Sequence, residues 1–409
     1  MTFHPEWPVR CRQLGHRLAY RILLQSLRDL ESVLSAEADA GERARKLTDR
    51  TVAILKDTGI VSMWTPRSLG GLELDFSSGL RVIEELARID ASAAWVVFVV
   101  CGSTFAAARM SSEAAAAIHA RPRGVLCGSL NPPGKAVRVE DGYRLTGRWP
   151  FTSGCNHAEW LLLSAIVRAN DDGGTRPPPD FATPIFCLVP ADASVIHDTW
   201  HTGGLRATGS NDIEVTDVFV PASMTFRISR AQDLRSKYHQ GDLYRVPLIG
   251  GIGTPIAAVA LGIARRAIDA VIDISKAKIP VGRTSTLRDQ PVLQADVAKA
   301  EAAVRSARCW LYATAESIAG LAEANADLPE VLRRDLLLAS VHATRSAAYA
   351  VNLMHLSGGG SAVYATCPLE RALRDIHAVT QHRRSAPIQF EIAGRMMLGL
   401  ECNDPSVLQ

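Results

Sequence analysis

The cysteines of this chain come in no pairs. Eight are scattered from Cys11 to Cys402, none in a CxxC and none at a metal-ligand spacing with His, Asp or Glu. The pattern excludes a disulfide framework, implies no metal, and fits reduced thiols in the cytoplasm. Long apolar runs are missing too. No stretch reaches the ~20 residues that cross a bilayer, so no membrane partner is expected. Residues 1–28 hold several arginines around the short run Ile22 to Leu24, without the apolar core and cleavage site of a secretory signal. They read as an N-terminal extension, 1–26, ahead of the fold proper. Neither sign of charge dominates: 45 Lys and Arg stand against 42 Asp and Glu, a formal net charge of +3. That balance gives no case for a nucleic-acid partner. Also absent are a GxGxxG after a strand, a Walker loop and a GxSxG elbow.

What is there is an ordinary globular composition, 409 residues with 47% hydrophobic and 21% charged. Such a chain can bury a large core. From about Leu27 the apolar spacing is helical, through Leu30, Val33, Leu34 and Ala38, then Val52 and Leu55, then Val82, Leu86 and Ile89. Ala91 to Val100 predicts a buried apolar helix. Around Gly124 the period changes to that of strands. Tyr143 and Leu145 alternate with polar neighbours, and Trp160 to Val167 and Ile185 to Val189 are β-prone runs. Asp171 to Asp180 reads as a loop. Ile213 and Val215, then Val218 and Val220, form two pairs out of phase by one residue, which predicts a bulge between them. After Pro255 an apolar stripe returns at Ile256, Val259, Ala260, Ile263 and Ala267, and Gly262 with many alanines suits close helix packing. Further helices fit Val292 to Ala324 and Leu328 to Leu356. The expected organisation is a helical domain at 27–123, a central β-barrel domain at 124–235 and a helical bundle at 236–409. The fold class is mostly α with a central β-barrel.

The chemistry concentrates between Leu356 and His382. Gly358 to Gly360 suit a turn where backbone approaches a ligand, Ser361 adds a hydroxyl, and Pro368 fits the first turn of a helix. On that helix Arg371, Asp375, Ala378 and His382 are spaced by four, three and four, which predicts one stripe. Asp375 is expected to pair with Arg371, and His377 to face away. With a free-solution pKa of ~6.5, His382 is a candidate general base. Upstream, Trp149 to Trp160 combines aromatics with the adjacent hydroxyls of Thr152 and Ser153 beside Gly154, a set able to hydrogen-bond a planar heteroaromatic ligand. Ser129, in Gly128 to Gly134, is a second hydroxyl for the same pocket. Arg283 precedes a bundle helix and can clamp phosphate with its guanidinium fork.

The order helical, β, helical resembles the acyl-CoA dehydrogenase fold. So do TPRSLGG at Thr65, WPFTSG at Trp149, LRATGSNDIEVTDVFVP at Leu205 and GGGSAVYATCPLERALRD at Gly358. The phrases WPFTSGCNHAEW and RDIHAVTQH resemble the flavin-dependent monooxygenases of two-component systems, of the 4-hydroxyphenylacetate hydroxylase kind, more than a dehydrogenase. The resemblance implies an oxygenase that receives reduced flavin from a separate NAD(P)H flavin reductase and forms a C4a-hydroperoxide with O2. It implies hydroxylation of a small aromatic or heteroatom-containing substrate, FMN preferred with FAD as the second choice, and a homotetramer. It places His382 by flavin and substrate and Thr152 or Ser153 near flavin N5. Gly359, Gly360 and Ser361 would offer backbone N–H groups and a hydroxyl to the cofactor, with Arg283 on phosphate. The rival is an FAD-dependent acyl-CoA dehydrogenase. Against it, His382 to Ser385 stands where many dehydrogenases carry a catalytic glutamate; Glu391, further on, reads as structural. A histidine that several relatives carry on the substrate side is absent from Val99 to Ser103.

Overall fold

Ala19, Leu23 and Leu27 recur every four positions, and the helix this implies is the first that is seen. The computed structural model describes residues 16–107, 109–120, 124–168, 184–227, 237–246, 248–323 and 328–400. Helix α1 (His16–Asp29) runs through the expected boundary at residue 26 and buries all three side chains. Leu23 and Leu27, fully enclosed, contribute about 1.5–3 kcal/mol each, so this helix belongs to the core. It is followed by α2 (Glu31–Ala44), α3 (Asp49–Asp57), α4 (Phe76–Ile89), α5 (Ala91–Ala107) and α6 (Ser112–His119). Side-chain caps set three of the starts: Thr48, Asp75 and Ser111 accept the backbone N–H of Thr51, Ser78 and Ala114. The break at Thr65 to Gly71 falls between α3 and α4, as read. α5 is buried on almost every side. Asp90, itself buried, accepts N–H bonds from Ser92 and Ala93 at 2.9 and 3.2 Å, and its burial raises the carboxyl's pKa.

The central strands are β1 (Leu126–Val139), β2 (Gly142–Thr152), β3 (Trp160–Arg168), β4 (Ile185–Pro190), β5 (Val195–His197), β6 (Asn211–Pro221) and β7 (Thr225–Arg227). They form one sheet in the order β5-β6-β2-β1-β3-β4-β7, antiparallel except for β1 with β3. This corrects the expected barrel. The edge strands β5 and β7 each pair with one neighbour over three residues, and among the described residues no ladder joins them. Runs that short supply too few hydrogen bonds to close the sheet. The predicted bulge is present: Leu145 pairs with Val218 and Gly147 with Val215, so β6 carries one extra residue there. Asp217 takes it up with φ 51°. The loop read at Asp171 to Asp180 lies outside the described residues.

The C-terminal helices are α7 (Leu248–Ala277), α8 (Pro291–Glu323), α9 (Glu330–Gly358), α10 (Pro368–Thr380) and α11 (Ile388–Met397). α7 begins before Pro255, which lies inside it. α9 packs on α7 and α8, and α10 packs on α7 and α9. α7 also packs on α4 and α5, so the two helical regions share one hydrophobic core. Gly262 permits that contact. A Cβ there would lie 2.3 Å from the Glu84 carbonyl oxygen and 2.6 Å from the Ala87 methyl.

Candidate active site

The segment after β2 makes a sharp turn. Phe151 has φ 59°, rare for a non-glycine residue, and is 68% exposed with its ring edge-on to Trp200. Ser153 N–H donates to the Phe151 carbonyl at 3.0 Å and Gly154 N–H to the Thr208 carbonyl at 2.8 Å. Thr152 is turned inward, and its hydroxyl donates to the Trp149 carbonyl at 3.2 Å. Ser129 donates to the Pro150 carbonyl at 2.9 Å, which fastens β1 to the same turn.

Ser153 enters a longer chain. Trp95 on α5 donates its indole N–H to Ser153 Oγ at 3.1 Å. Ser153 Oγ meets Ser210 Oγ at 2.6 Å, and Ser210 Oγ meets Thr208 Oγ1 at 2.6 Å. Thr208 donates to the Leu205 carbonyl at 2.8 Å. All four side chains are buried. The turn that carries Thr208 and Ser210 is seated on α10: Leu205, with φ 50°, donates its N–H to Asp375 Oδ1 at 2.6 Å. Burial drives the Asp375 carboxyl up to about 7 against the pull of that N–H. Arg374 holds the same turn through the Gly203 carbonyl at 2.5 Å. Gly204 lies flat on the helix backbone, where a Cβ would sit 2.1 Å from the Arg374 carbonyl oxygen.

His382 is not on the α10 stripe. The helix ends at Thr380, and His382 has extended backbone, ψ 138°, as the cap of the next turn. Its Nδ1 accepts the backbone N–H of Arg384 at 3.1 Å. The ring stands edge-on to Trp95, with centroids 5.9 Å apart, and Trp95 is in turn edge-on to Phe98 at 4.8 Å. Burial, and then the Arg384 charge, push the imidazole down to about 4. The ring is therefore neutral at pH 7. With Nδ1 accepting, its proton resides on Nε2. The sequence makes this ring a candidate general base; in the structure its Nδ1 is already engaged by the Arg384 N–H. Asp375 does not pair with Arg371 either. Arg371 reaches α2 instead, at Asp39 and at Glu42 Oε2 (2.7 Å), and Arg374 joins the same Glu42 at 2.5 Å. His377 does face away, with Nε2 3.0 Å from Asn352 Oδ1 on α9.

The structure thus brings Ser153 and His382 together at Trp95, with Ser129 and Thr152 bonded to the backbone of the same turn. Arg283, Gly359, Gly360 and Ser361 lie elsewhere, before the start of α10, which spans about 20 Å by its 13 residues. There Lys278, unremarked in the sequence, donates to the Gly358 carbonyl at 2.6 Å and Ser361 Oγ at 2.8 Å. Gly359 has φ 56° beside the same ammonium. Arg283 is exposed in the turn after Pro280. Trp95, Thr208 and Ser210 were also missed as site residues. Thr208 and Ser210 stand in LRATGSND, a phrase already singled out, and Trp95 was concealed in an evenly apolar helix.

Behind the turn lie two thiols. Cys127 packs against Gly154, and Cys155 Sγ is 3.4 Å from the Gly209 carbonyl. Burial pushes Cys155 up to about 11, Cys101 and Cys187 to about 12, and Cys127 higher still. Cys309 is exposed.

A second buried polar group sits beyond the other end of α5. His239 is fully enclosed, edge-on to Tyr244 at 4.8 Å, and neither ring nitrogen has a partner among the described residues. Burial, with His119 and Arg109 nearby, lowers its pKa to about 3. The unfolded chain therefore binds the proton first. Stability from this group is complete above about pH 6.5 and is lost as the pH falls toward 3. Replacing His239 by Leu should thus gain ground on the parent protein as the pH falls, by ~2 kcal/mol between pH 7.5 and 5. Urea unfolding at the two pH values measures the change. An equal difference at both would mean that His239 titrates normally.

Two family models match the chain. Residues 21–117 match the acyl-CoA dehydrogenase N-terminal domain, and residues 254–387 match the acyl-CoA dehydrogenase C-terminal domain. The chain is 30% identical over 382 residues to an indole-3-acetate monooxygenase of Pseudomonas putida, covering 93% of each. It is 31% identical over 377 residues to the FADH(2)-dependent resorcinol hydroxylase, oxygenase component, of Rhizobium sp., covering 88% of this chain and 90% of that one. Among solved structures it is similar to XiaF from Streptomyces sp. in complex with FADH2 and glycerol, with a TM-score of 0.89 at 26% identity, over 95% of this chain and 98% of that one.

Proposed function

The chain belongs to the acyl-CoA dehydrogenase superfamily and, within it, to the oxygenase components of flavin-dependent monooxygenases, and on that premise we propose that it oxygenates a small planar aromatic at the Trp95–Ser153–His382 cluster. Reduced flavin, when bound, would supply the two electrons that activate O2, and O2 supplies the oxygen atom. The residues present fit that cofactor. Ser153 Oγ has a lone pair to accept from a ring N–H, and His382 Nε2–H is a neutral donor beside it. Donors fixed before the reaction stabilise negative charge as it develops on oxygen. The rings of Trp95, Phe98 and His382 suit a flat substrate and shed water from the reacting atoms. Thr152, whose proton is held by Trp149, supports the turn. The observation that carries this reading is the contact of the Ser153-bound Trp95 with the His382 ring.

Lys278, Ser361 and the Gly359 turn suit a phosphate or pyrophosphate of the flavin. Around them Ile279, Val281, Val363 and Tyr364 are exposed apolar side chains, as expected if further copies of the chain cover this end in a homotetramer. FMN and FAD share one ring system, so Ser153 and His382 do not choose between them. The expectation of FMN drew on the resemblance and on Arg283, Gly359, Gly360 and Ser361 as phosphate-sized groups, of which Arg283 lies in the exposed turn. The resorcinol hydroxylase and XiaF, each associated with FADH2, support FAD beside FMN. A separate NAD(P)H flavin reductase supplies the reduced form. The division at 27–123, 124–235 and 236–409 is part of the same reading, with α1 added to the first unit.

Anaerobically reduced flavin, mixed with the protein, a phenol or indole, and O2, should yield an oxygenated product. Oxidised flavin on the protein should stay unbleached by acyl-CoA thioesters. Bleaching without any oxygenated aromatic would return the chain to dehydrogenase chemistry.

A further inference from the structure

Four hydrogen-bonding contacts link Trp95, Ser153, Ser210, Thr208 and the Leu205 carbonyl in series. Four protons are available to make them: one indole N–H and three hydroxyl hydrogens. The indole can only donate, so the first contact takes its proton. A carbonyl can only accept, so the last takes the proton of Thr208. Thr208 then has none for Ser210, and the Ser210 hydrogen must fill that contact. The Ser153 hydrogen must in turn fill the contact with Ser210. One arrangement satisfies all four, and it runs in a single direction, from Trp95 inward to Leu205. Both hydroxyl–hydroxyl distances are 2.6 Å, and the three hydroxyl side chains are buried from water that could replace a lost bond.

The consequence falls on Ser153. Its oxygen accepts from Trp95 and its hydrogen is committed to Ser210, which leaves a lone pair and no proton. N5 of a reduced flavin carries a hydrogen and can donate to that lone pair. N5 of an oxidised flavin has a lone pair of its own and needs a donor. We infer that the Trp95–Ser153–Ser210–Thr208 chain makes this protein select reduced over oxidised flavin, with Ser210 and Thr208 as specificity-determining residues that never touch the cofactor. The inference rests on the reading that Ser153 meets N5. To serve the oxidised ring, Ser153 must turn its hydrogen outward, and one buried bond of the chain is then lost.

The test measures binding on the full chain. Dissociation constants for oxidised flavin, by fluorescence, and for reduced flavin, by anaerobic titration, give a ratio for each variant. In the parent protein oxidised flavin should bind at least ~10-fold more weakly, the equivalent of one net buried hydrogen bond. Ser210→Ala frees the Ser153 hydrogen. Oxidised flavin should then bind ~10-fold more tightly while reduced flavin changes less than about twofold. Thr208→Val should act in the same direction, because Ser210 can then donate back to Ser153. Thr208→Ser keeps the series and should keep the ratio, and this pair decides the matter if Ser210→Ala does not fold. Unchanged ratios in Ser210→Ala and Thr208→Val, with both affinities altered in Ser153→Ala, would overturn the polarity and leave Ser153 at N5. If Ser153→Ala alters neither affinity, the placement of Ser153 at N5 falls, and the inference with it.

Discussion

Replacing His382 by Ala should slow oxygen transfer by ~10²–10³-fold while flavin affinity holds, because one preorganised donor to developing charge is removed. The ring's tautomer sets the form of this prediction. Nδ1 is occupied by the Arg384 N–H, and protonating it would break that bond inside a site that already resists charge. A base with an ordinary imidazole pKa would lose activity as the pH falls through ~6.5. A donor held neutral down to about 4 gives a profile with no such limb between pH 5.5 and 8. Product formed per flavin oxidised, followed across that range, separates the two roles. His377 is the control, since its ring is engaged with Asn352 on α9. An acid limb near 6.5 that disappears in the His382 variant would restore the general base. Equal losses in the His377 and His382 variants would mean that neither ring acts on the substrate.

The second large effect is expected at Gly204. An alanine methyl there would enter the backbone of α10, 2.1 Å from the Arg374 carbonyl oxygen and 2.8 Å from the Asp375 nitrogen. A helix backbone cannot yield as a side chain can, so the turn must lift. Lifting breaks the Leu205 N–H bond to Asp375 and leaves a buried carboxyl without its donor. Overpacking and an orphaned buried group cost about 1–3 kcal/mol each. Gly204→Ala should lose ~2–6 kcal/mol in chemical unfolding, and oxygen should go to hydrogen peroxide more than to product. The same turn carries Thr208 and Ser210, which ties the two losses together. A stable variant with normal coupling would show that the turn does not depend on its seat on α10.

The elements were legible where local pattern decides them. The one-residue phase slip between Val215 and Val218 is a bulge because alternate side chains face opposite sides of a sheet. Gly262 marked a close helix crossing because nothing larger fits. His382 was misplaced because a helix end two residues earlier carries no local signal: no glycine or proline falls between Pro368 and Pro387. Its surroundings were not legible because the burial that lowers its pKa comes from tertiary packing, and its ring neighbour Trp95 is far away in sequence. Asp375 was given the wrong partner for a similar reason. Leu205 lies 170 residues away, and no helical spacing can point to it. The barrel was expected because the strands were countable while their closure was not. Lys278 went unremarked because nothing local marks it; chain geometry brings its ammonium to the glycine turn.

The buried thiols bear on how long such a protein lasts in use. An oxygenase that couples imperfectly makes hydrogen peroxide in its own interior, and on the proposed reading Cys127 and Cys155 lie behind the turn that meets it. Peroxide attacks the thiolate and spares the thiol. With its pKa pushed up to about 11, Cys155 is ionised at pH 7 in about one molecule in 10⁴, and Cys127 in fewer. The two sulfurs behind the Ser153 turn are held in their inert form by the packing around them. On the proposed reading, the dry interior that favours product over peroxide also protects these thiols.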